Sequence, residues 1–509
     1  MINIILGIVA LSLFVYVVLK WATKNHDVFE KQGIKYLKPY PFIGNSDYLL
    51  HGRGLMDRVL DIFKRFPNEK VVGLFDFGKP LYFLKSPELV KQIAVKDFAY
   101  FQDHHLFMDA ETDPLFGNML FAMQGKQWRN MRYALSPIFT GRKMRMMLEL
   151  IDKCAKQFTD YIAEQYEKNG SQAYGLKDIF SRYTNDAIAT CAFGVECNSL
   201  KYPKNEVYTL GQKSLVFQKP GLATIKLVII RLFPALAKAL GLKLVSGETE
   251  KMFRNMIIDT MEVRKSKGIV RPDLLQILMN MRDDKKRTWT EMELIAQCFI
   301  FFIAGFDGGS NVATYVAYEM AINQDIQEKL IEAIEETHNN LNGKSLTYEA
   351  LQSIKYLEMV VLETLRKWPP ALVADRKCVQ TYNYEDEDGL KLTIEKGSII
   401  WLPIYGFHSD PKYYPNPEKF DPERFNDENK SKIDPYTFLP FGCGPRNCIG
   451  LRFAMMEVKV LLYHLFLTCK VSACKETQIP LKFKRSPFGL VPEKEIKLCI
   501  EPRNKVKTI

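Results

Sequence analysis

An almost continuous apolar run occupies the start of the chain, from Ile4 to Leu19. With its flanking residues to Trp21 it reaches about 18 to 20 residues, the length that a helix needs to cross the hydrocarbon core of a membrane. Lys20 and Lys24 follow at once, whereas no Lys or Arg precedes the run and no small-residue cleavage site follows closely. The pattern favours a retained signal anchor over a cleaved leader, and the positive-inside rule predicts that the rest of the chain lies in the cytosol.

Two closely spaced prolines, Pro39 and Pro41, follow this run and favour an extended, stiff connection. No long Ser/Gly/Pro tract, repeat or low-complexity run divides the 509 residues further. We therefore expect a membrane anchor over residues 1–22, a Pro-containing linker over 23–45 and one large domain over 46–509.

The most distinctive helix predicted by the pattern begins at a capping box formed by Thr290 and Glu293. Its apolar positions run to about Met320, and residues 295–303 are apolar nearly all round. A helix with no polar face belongs in the interior of a large domain, so we expect this one to cross the core.

Helical spacing of apolar residues extends from about residue 145 to 370. A hairpin is predicted over residues 71–84, and from about Lys391 the pattern changes to short strands and Pro-rich loops before a last helix near 451–467. These elements predict a mainly α-helical fold with a smaller β-rich subdomain.

The segment from Leu222 to Leu244 is strongly apolar but carries four basic residues and Pro234, which argues against a second membrane span. An amphipathic segment that dips into a membrane surface and ordinary helix packing both remain compatible with this pattern.

Composition narrows the class of protein. The net charge of +11 (70 Lys and Arg against 59 Asp and Glu) suits a solvated basic surface, an anionic membrane or an acidic protein partner. Nucleic acid is not expected, because the basic residues are dispersed and no nucleic-acid-binding motif accompanies them. Ten scattered cysteines without paired C-x-x-C spacing indicate a reducing compartment rather than a disulfide scaffold or a zinc site.

The candidate chemistry lies in the segment from Phe441 to Gly450, which matches F-x-x-G-x-R-x-C-x-G in full. Its glycines permit tight turns and a close approach of the backbone to a flat ligand. Arg446 offers a fixed positive charge, and Cys448 offers a thiolate that neighbouring N–H groups can stabilise. A Gly-rich surface loop with a buried structural cysteine is the simpler interpretation, but the number of matched positions argues against it.

This segment resembles the cytochrome P450 superfamily, and the resemblance extends over nearly the whole chain. It implies a bound haem (iron protoporphyrin IX) with Cys448 as the only protein ligand to iron, whose thiolate would favour O–O cleavage. The family pattern also implies a buried charge network behind the haem loop. Here E-x-x-R is matched by Glu363 and Arg366, and P-x-R-F by the segment containing Arg424.

The same resemblance implies further haem contacts. Trp128 and Arg132 match W-x-x-x-R and share a helix face, so both can reach propionates. Arg376 resembles a third propionate ligand, and His408 is a further candidate contact. The cofactor-binding residues expected from the family are therefore Trp128, Arg132, Arg376, Phe441, Arg446, Cys448 and Gly450.

The long helix carries Ala304, Gly305, Phe306 and Asp307, which resemble the family's oxygen-binding segment A-G-x-[D/E]-T. Small side chains would leave room for dioxygen, and Asp307 would feed protons toward it. The sequence departs from the pattern at Gly308, where threonine is usual. We expect the catalytic set Ala304, Gly305, Asp307 and Gly308, with less efficient proton delivery.

Two segments, Arg271 to Gln276 and Phe302 to Asp307, look like those of insect microsomal cytochromes P450 of the detoxifying kind. That finer resemblance implies lipophilic foreign compounds as substrates. By position relative to the family's substrate segments, the expected pocket residues are Phe116, Leu120, Phe121, Phe217, Phe302, Phe306, Leu372, Val373 and Phe488.

The resemblance implies a monooxygenase in the endoplasmic reticulum membrane. It would insert one atom of O2 into its substrate, with electrons from NADPH delivered by a separate NADPH–cytochrome P450 reductase and in some cycles by cytochrome b5. No dinucleotide-binding fingerprint is present, so the chain is not expected to bind NADPH itself. Two alternatives stay open: a haem-thiolate isomerase or dehydratase that needs no external electrons, and a haem-containing protein that binds lipophilic ligands with little turnover.

Overall fold

The computed structural model describes residues 2–49, 54–105, 108–215, 222–271, 273–283, 289–486 and 489–503. Helices dominate, and short strands cluster mainly near the two ends of the chain, as the sequence pattern predicts. The α-helices are α1 Ile2–Ala22, α2 Val28–Lys31, α3 Leu55–Arg65, α4 Pro87–Lys91, α5 Pro114–Gly117, α6 Gly125–Leu135, α7 Gly141–Asn169, α8 Leu176–Ile188, α9 Glu206–Ser214, α10 Leu222–Leu232, α11 Pro234–Ala239, α12 Gly247–Lys267, α13 Leu274–Asp283, α14 Glu291–Ile322, α15 Gln324–Asn340, α16 Tyr348–Ser353, α17 Lys355–Lys367, α18 Ile404–His408, α19 Asp427–Lys430 and α20 Leu451–Thr468.

The strands form four small sheets. They are β1 Val71–Asp76, β2 Lys79–Leu84, β3 Ala173–Gly175, β4 Ala374–Lys377, β5 Tyr382–Glu385, β6 Lys391–Ile394, β7 Ile399–Leu402, β8 Cys469–Ala473, β9 Phe483–Lys484, β10 Val491–Pro492 and β11 Lys497–Pro502. The largest sheet has the order β1-β2-β7-β4, in which β2 and β7 are parallel and the other neighbours antiparallel. The predicted hairpin over 71–84 is its β1–β2 pair.

The helix α14 forms the centre of the domain. Its capping box is present, because the Thr290 hydroxyl accepts from the Glu293 N–H at 3.2 Å and the Glu293 carboxylate accepts from the Thr290 N–H at 2.8 Å. The helix packs against α8, α17 and α20, and most of its apolar side chains are buried. The expectation that it crosses the core is confirmed, and it passes through Gly308 and Gly309 without interruption.

The helix α1 extends away from this core, with nearly all of its apolar side chains exposed. It is long and apolar enough to cross a membrane; α14 passes the same test but is a buried core helix. The segment after Leu222 divides into α10 and α11, with Pro234 at the first position of α11. Leu227, Ile230 and Ala237 of this pair are buried, whereas Ile225, Phe233, Leu236 and Leu240 are exposed, so the pair is amphipathic.

A buried charge network supports the loop before Cys448. Glu363 and Arg366 of α17 are almost completely buried and form two hydrogen bonds of 2.7 and 2.8 Å. Arg424 Nε lies 3.5 Å from Glu363 Oε1, and the Asp421 N–H donates to the same oxygen. The network that the family pattern implies is therefore present, and it ties α17 to the segment that leads to the cysteine loop.

Candidate active site

A cavity of about 580 Å³ lies between α14 and the loop before α20. Ala304, Gly305, Gly308 and Gly309 of α14 form one wall, and the segment from Pro440 to Gly450 contributes the opposite one. Most of the remaining wall is apolar. An enclosed space with a thiol on one side and side chains no larger than a methyl group on the other suits a flat ligand held between them.

The loop that carries Cys448 depends on glycines at two sharp turns. Gly442 and Gly444 have φ angles of +70° and +69°, and a Cβ on Gly444 would lie 2.1 Å from the Ala94 carbonyl oxygen. The Cys448 N–H donates to the Phe441 carbonyl at 2.8 Å and fixes the end of the loop. Burial raises the pKa of the Cys448 thiol, while the Gly450 N–H and the nearby Arg132 charge act in the opposite direction.

The predicted cofactor-binding residues meet at this cavity. All seven line it: Trp128, Arg132, Arg376, Phe441, Arg446, Cys448 and Gly450. Arg132 donates to the backbone oxygen and to the side-chain oxygen of Asn447, at 2.8 Å each. Arg376 is almost fully buried, yet its Nε has no hydrogen-bond partner. A buried guanidinium with an unused donor at the edge of a cavity fits an anionic group there.

Arg446 also binds backbone carbonyl groups outside the cysteine loop. It donates to the backbone carbonyls of Gln102 and Met123 at 2.7 Å each and lies 4.0 Å above the ring of Trp128. Burial lowers the pKa of this guanidinium to about 9. Arg446 therefore also holds the segment between α4 and α6 against the cysteine loop, a role that the motif alone does not indicate.

His104 lies in the lining although sequence reasoning missed it. Its Nδ1 is 2.9 Å from Asp375 Oδ1, and its ring stacks on Phe121 at 4.4 Å. Burial alone would raise the pKa of Asp375, but His104, the His105 N–H and Arg376 outweigh it and lower the pKa to about 2. The one feature of the sequence that could have indicated this pair was Asp375, the acidic residue next to Arg376. His104 itself lies in a loop that is distant in sequence, so no local pattern connects the two.

The suggestion that His408 contacts the cofactor is wrong. His408 is completely buried and does not line the cavity. Its Nδ1 lies 3.1 Å from the Arg366 carbonyl, and its Nε2 accepts from the Leu439 N–H at 3.0 Å. Both ring nitrogens therefore serve the backbone, and burial together with Arg366 lowers the pKa of His408 to about 3.

The segment of α14 that was expected to bind oxygen divides between two sides of the helix. Ala304, Gly305 and Gly308 line the cavity as expected, but Asp307 does not. Its carboxylate accepts from Lys177 of α8 at 2.7 Å and from Asn311 at 3.0 Å. Asp307 thus points toward α8 rather than into the cavity, and this orientation does not favour the expectation that it feeds protons toward oxygen.

The predicted substrate residues separate in the same way. Leu120, Phe121 and Val373 line the cavity, whereas Phe116, Phe302, Phe306 and Leu372 lie in the surrounding packing. Phe302 packs against Phe253 and Phe306 against Tyr208, with ring centres 5.6 and 5.7 Å apart. Two further predictions, Phe217 and Phe488, lie outside the described residues, as does Pro272 of the Arg271–Gln276 segment.

Helical phase explains the difference on α14. Residues three and four positions apart share a face, so Ile300 and Phe301 accompany Ala304, Gly305 and Gly308 in the lining. Phe302 and Phe306 point toward α12 and α9 instead. Counting in steps of three and four residues back from Gly308 identifies the residues that face the cavity. The expectation for Phe302 and Phe306 used their family position alone and did not include this count. Glu457 of α20 is a further lining residue that sequence reasoning missed.

These residues fit a haem. The Cys448 thiol, in the loop opposite α14, would ligate the iron, and the guanidinium groups of Arg132 and Arg376 would suit the propionates. Among the residues that the structure describes, no group of three or more His, Cys, Asp or Glu could hold a metal ion directly. The Cys448 thiol together with the guanidinium groups suits a metal that arrives inside a macrocycle and takes one ligand from the protein.

Comparisons with known proteins agree with this geometry. The cytochrome P450 family model matches residues 34–500. The chain is 40% identical to Cytochrome P450 9e2 of Blattella germanica, with 97% of both chains covered. It is 39% identical to Probable cytochrome P450 9f2 of Drosophila melanogaster (95% of this chain and 97% of the relative) and 36% identical to Cytochrome P450 6j1 of Blattella germanica, with 96% of each covered.

Proposed function

The chain belongs to the cytochrome P450 family and is a haem monooxygenase, and from this premise we propose that it oxidises lipophilic foreign compounds in the endoplasmic reticulum membrane. In this proposal a separate NADPH–cytochrome P450 reductase supplies the electrons, and cytochrome b5 is a second donor. The observation that carries the proposal is the cavity of about 580 Å³ that joins Cys448 to an apolar wall. The anchor at residues 1–22, the linker at 23–45 and the catalytic domain at 46–509 are part of the same proposal.

In this proposal the polar residues of the cavity bind the haem, and the small residues of α14 leave space for oxygen and the substrate. Haem, when bound, supplies the activation of dioxygen. Cys448 would hold it from one side through its thiolate, while Trp128, Arg132 and Arg376 would bind its propionates. Ala304, Gly305 and Gly308 would leave space on the opposite side for oxygen and for the substrate carbon.

The substrate class follows from the apolar part of the lining. Phe121, Ile300, Phe301 and Val373 would contact the substrate through aromatic and aliphatic surfaces. A wall of this kind binds by excluding water and selects poorly among lipophilic shapes, which suits a broad range of foreign compounds.

The membrane supplies both the substrates and the orientation of the domain. Lipophilic compounds concentrate in a bilayer, and α1 offers an apolar helix for insertion. The exposed side chains Phe233, Leu236 and Leu240 of α10 and α11 would add a second contact with the lipid surface. By the positive-inside rule, Lys20 and Lys24 after α1 favour the cytosolic side for the catalytic domain.

The test is reconstitution of the full chain in phospholipid vesicles with an insect NADPH–cytochrome P450 reductase, followed by mass spectrometry of a panel of lipophilic compounds under ¹⁸O2. We expect products that carry one ¹⁸O atom and require both NADPH and the reductase, and none from Cys448→Ser. Conversion of peroxides or oximes without NADPH would instead indicate an isomerase or dehydratase. Spectral binding shifts without any product would indicate a binding protein.

A variant that lacks residues 1–24 tests the location separately. It should bind haem as the full chain does but lose much of its attachment to vesicles, retaining some through α10 and α11. Failure to incorporate haem would contradict the division into anchor and catalytic domain.

A further inference from the structure

We propose that the Glu457 carboxyl group delivers protons into the cavity beside Gly308, in place of the hydroxyl group that most members of the family carry there. The inference rests on the monooxygenase function proposed above and names the residue that serves its proton requirement. Three observations support it. Glu457 lies in the cavity wall, its carboxyl group occupies the space that Gly309 leaves by having no side chain, and Asp307 points away from the cavity.

Glu457 lies on α20, the helix that begins just after the cysteine loop. Glu457 is only 1% exposed to solvent, yet it contributes to the cavity lining. Its Oε1 atom is buried and has no hydrogen-bond partner. A buried carboxyl oxygen without a partner is costly for folding, which indicates a functional reason to keep it beside the cavity.

The carboxyl group reaches α14 because Gly309 has no side chain. A Cβ at Gly309 would lie 2.5 Å from Glu457 Oε2 and 3.2 Å from the Thr184 methyl carbon. A Cβ placed on the preceding residue, Gly308, would have no neighbouring atom within 4 Å. The two glycines therefore have separate effects: Gly309 admits the carboxyl group and Gly308 opens the space next to it.

Burial favours the protonated form of this carboxyl group. It raises the pKa of Glu457 well above the usual value, and no basic side chain opposes the shift. A carboxyl group whose protonated form is favoured in this way can serve as a general acid toward the cavity that it lines.

The other candidate donors nearby are occupied. The Asp307 carboxylate pairs with Lys177 on the far side of α14. The Ser310 hydroxyl donates to the Phe306 carbonyl at 2.9 Å and accepts from Lys177 at 2.7 Å. Two acids line the cavity among the described residues, and of these Asp375 is bonded to His104 and to the His105 N–H, whereas Glu457 keeps a carboxyl oxygen without a partner.

The proton balance defines the role. One turnover combines RH, O2, two electrons and two protons into ROH and H2O, with the electrons coming from the redox partner. The O–H bond of Glu457 breaks when its proton passes to oxygen in the cavity, and cavity water reprotonates the carboxylate. If Glu457 does not supply its proton, cavity water supplies both protons, and the two electrons leave with O2 as hydrogen peroxide.

The test compares Glu457→Gln, which keeps the shape but cannot give up a proton in this way, with Asp307→Asn as the matched control. We expect Glu457→Gln to retain haem content, the reduced carbon monoxide band and substrate-induced spectral shifts. Its product rate should fall about tenfold or more. Hydrogen peroxide per NADPH should rise severalfold, and the rate should become more sensitive to D2O. Asp307→Asn should change these quantities much less.

Infrared difference spectra of the resting holoenzyme give a readout that does not depend on turnover. Wild type should show the C=O stretch of a protonated carboxyl group from pH 6 to 8, and Glu457→Gln should lack it. A second variant, Gly309→Ala, should displace the carboxyl group and raise the peroxide fraction although the chain still carries glutamate at position 457.

The proposal is overturned if that band is absent from wild type, or if Glu457→Gln folds and keeps the wild-type peroxide fraction. It is equally overturned if Asp307→Asn alone produces the leak. If the infrared band is present but no compound is oxidised with the reductase, the proposed substrates and partner fail while the assignment of a protonated Glu457 stands.

Discussion

Asp307 Oδ1 accepts a hydrogen bond from Lys177 Nζ at 2.7 Å, on the side of α14 that faces α8. The same ammonium group donates to Ser310 Oγ, and Asn311 holds the second carboxylate oxygen of Asp307. Both carboxylate oxygens of Asp307 are therefore engaged on this side of the helix, where the group is poorly placed to protonate a ligand beyond the helix. The pair stabilises the contact between α8 and α14 instead.

We therefore predict that Asp307→Asn slows NADPH-driven turnover by far less than the roughly 100-fold typical of losing a direct proton donor. The residual effect comes from the loss of the Lys177 contact and a small shift of α14. Steady-state rates with a good substrate, together with peroxide per NADPH, measure it. Lys177→Met should give a similar small effect; a loss in Asp307→Asn as large as that in Glu457→Gln would mean that protons pass through Asp307.

The assignment of the iron ligand gives a second prediction. Cys448→Ser should abolish the strongly red-shifted band of the reduced carbon monoxide complex, because that shift needs a thiolate. Cys443→Ser is the matched control, since Cys443 lies in the same loop and does not line the cavity. It should keep the band and most of the haem. The reverse outcome would move the ligand to Cys443.

His408 gives a prediction for pH. Its pKa is about 3 in the folded protein and near 6.5 in the unfolded chain, so the unfolded chain binds the proton more readily between these values. The stability that the neutral ring contributes is complete above pH 6.5 and is lost as the pH falls. Between pH 6.5 and 5 the free energy of unfolding should fall by about 2 kcal/mol on this account.

Denaturant titrations at pH 7 and pH 5, followed by loss of the carbon monoxide band, measure this effect. His408→Gln should be less stable than wild type at pH 7, because it loses a hydrogen bond to the backbone. Its disadvantage should shrink by about 2 kcal/mol at pH 5, since glutamine takes up no proton. An unchanged gap between the two proteins at both pH values would contradict the burial of a neutral His408.

The sequence predicted the long helix, the hairpin and the cysteine loop, because each has a local signature, and the resemblance to the family implied the buried Glu363–Arg366 pair. The capping box, the turn of the hairpin and the glycines of the cysteine loop are each recognisable within a few consecutive residues. The cofactor residues followed from family spacing and do meet at one cavity.

The misplaced residues all depend on which side of an element faces the cavity. Asp307 and Phe306 are adjacent to lining residues, yet helix geometry turns them toward α8 and α9. His104 and Glu457 reach the cavity from a loop and a helix that are remote in sequence from α14. No local pattern encodes such contacts, because tertiary packing alone decides which neighbours a buried side chain meets.

Gly308 gives the last prediction. Gly308→Thr should fold, because a Cβ there meets no atom within 4 Å, and it replaces a glycine in a helix interior by a residue with a higher helix propensity. Its hydroxyl should order water beside Glu457 and lower the hydrogen peroxide released per NADPH with a good substrate.

Gly309→Thr is the control, because it adds the same side chain one residue further along α14 but into the Glu457 carboxyl group, 2.5 Å from the new Cβ. It should lose stability, since overpacking a buried contact typically costs about 1–3 kcal/mol, and it should release more peroxide rather than less. A single assay of peroxide per NADPH on both variants, with substrate affinity measured alongside, separates the two effects. If Gly308→Thr binds substrate as wild type does and leaves the peroxide fraction unchanged, the missing hydroxyl has no bearing on proton delivery, and Glu457 or another route already saturates it.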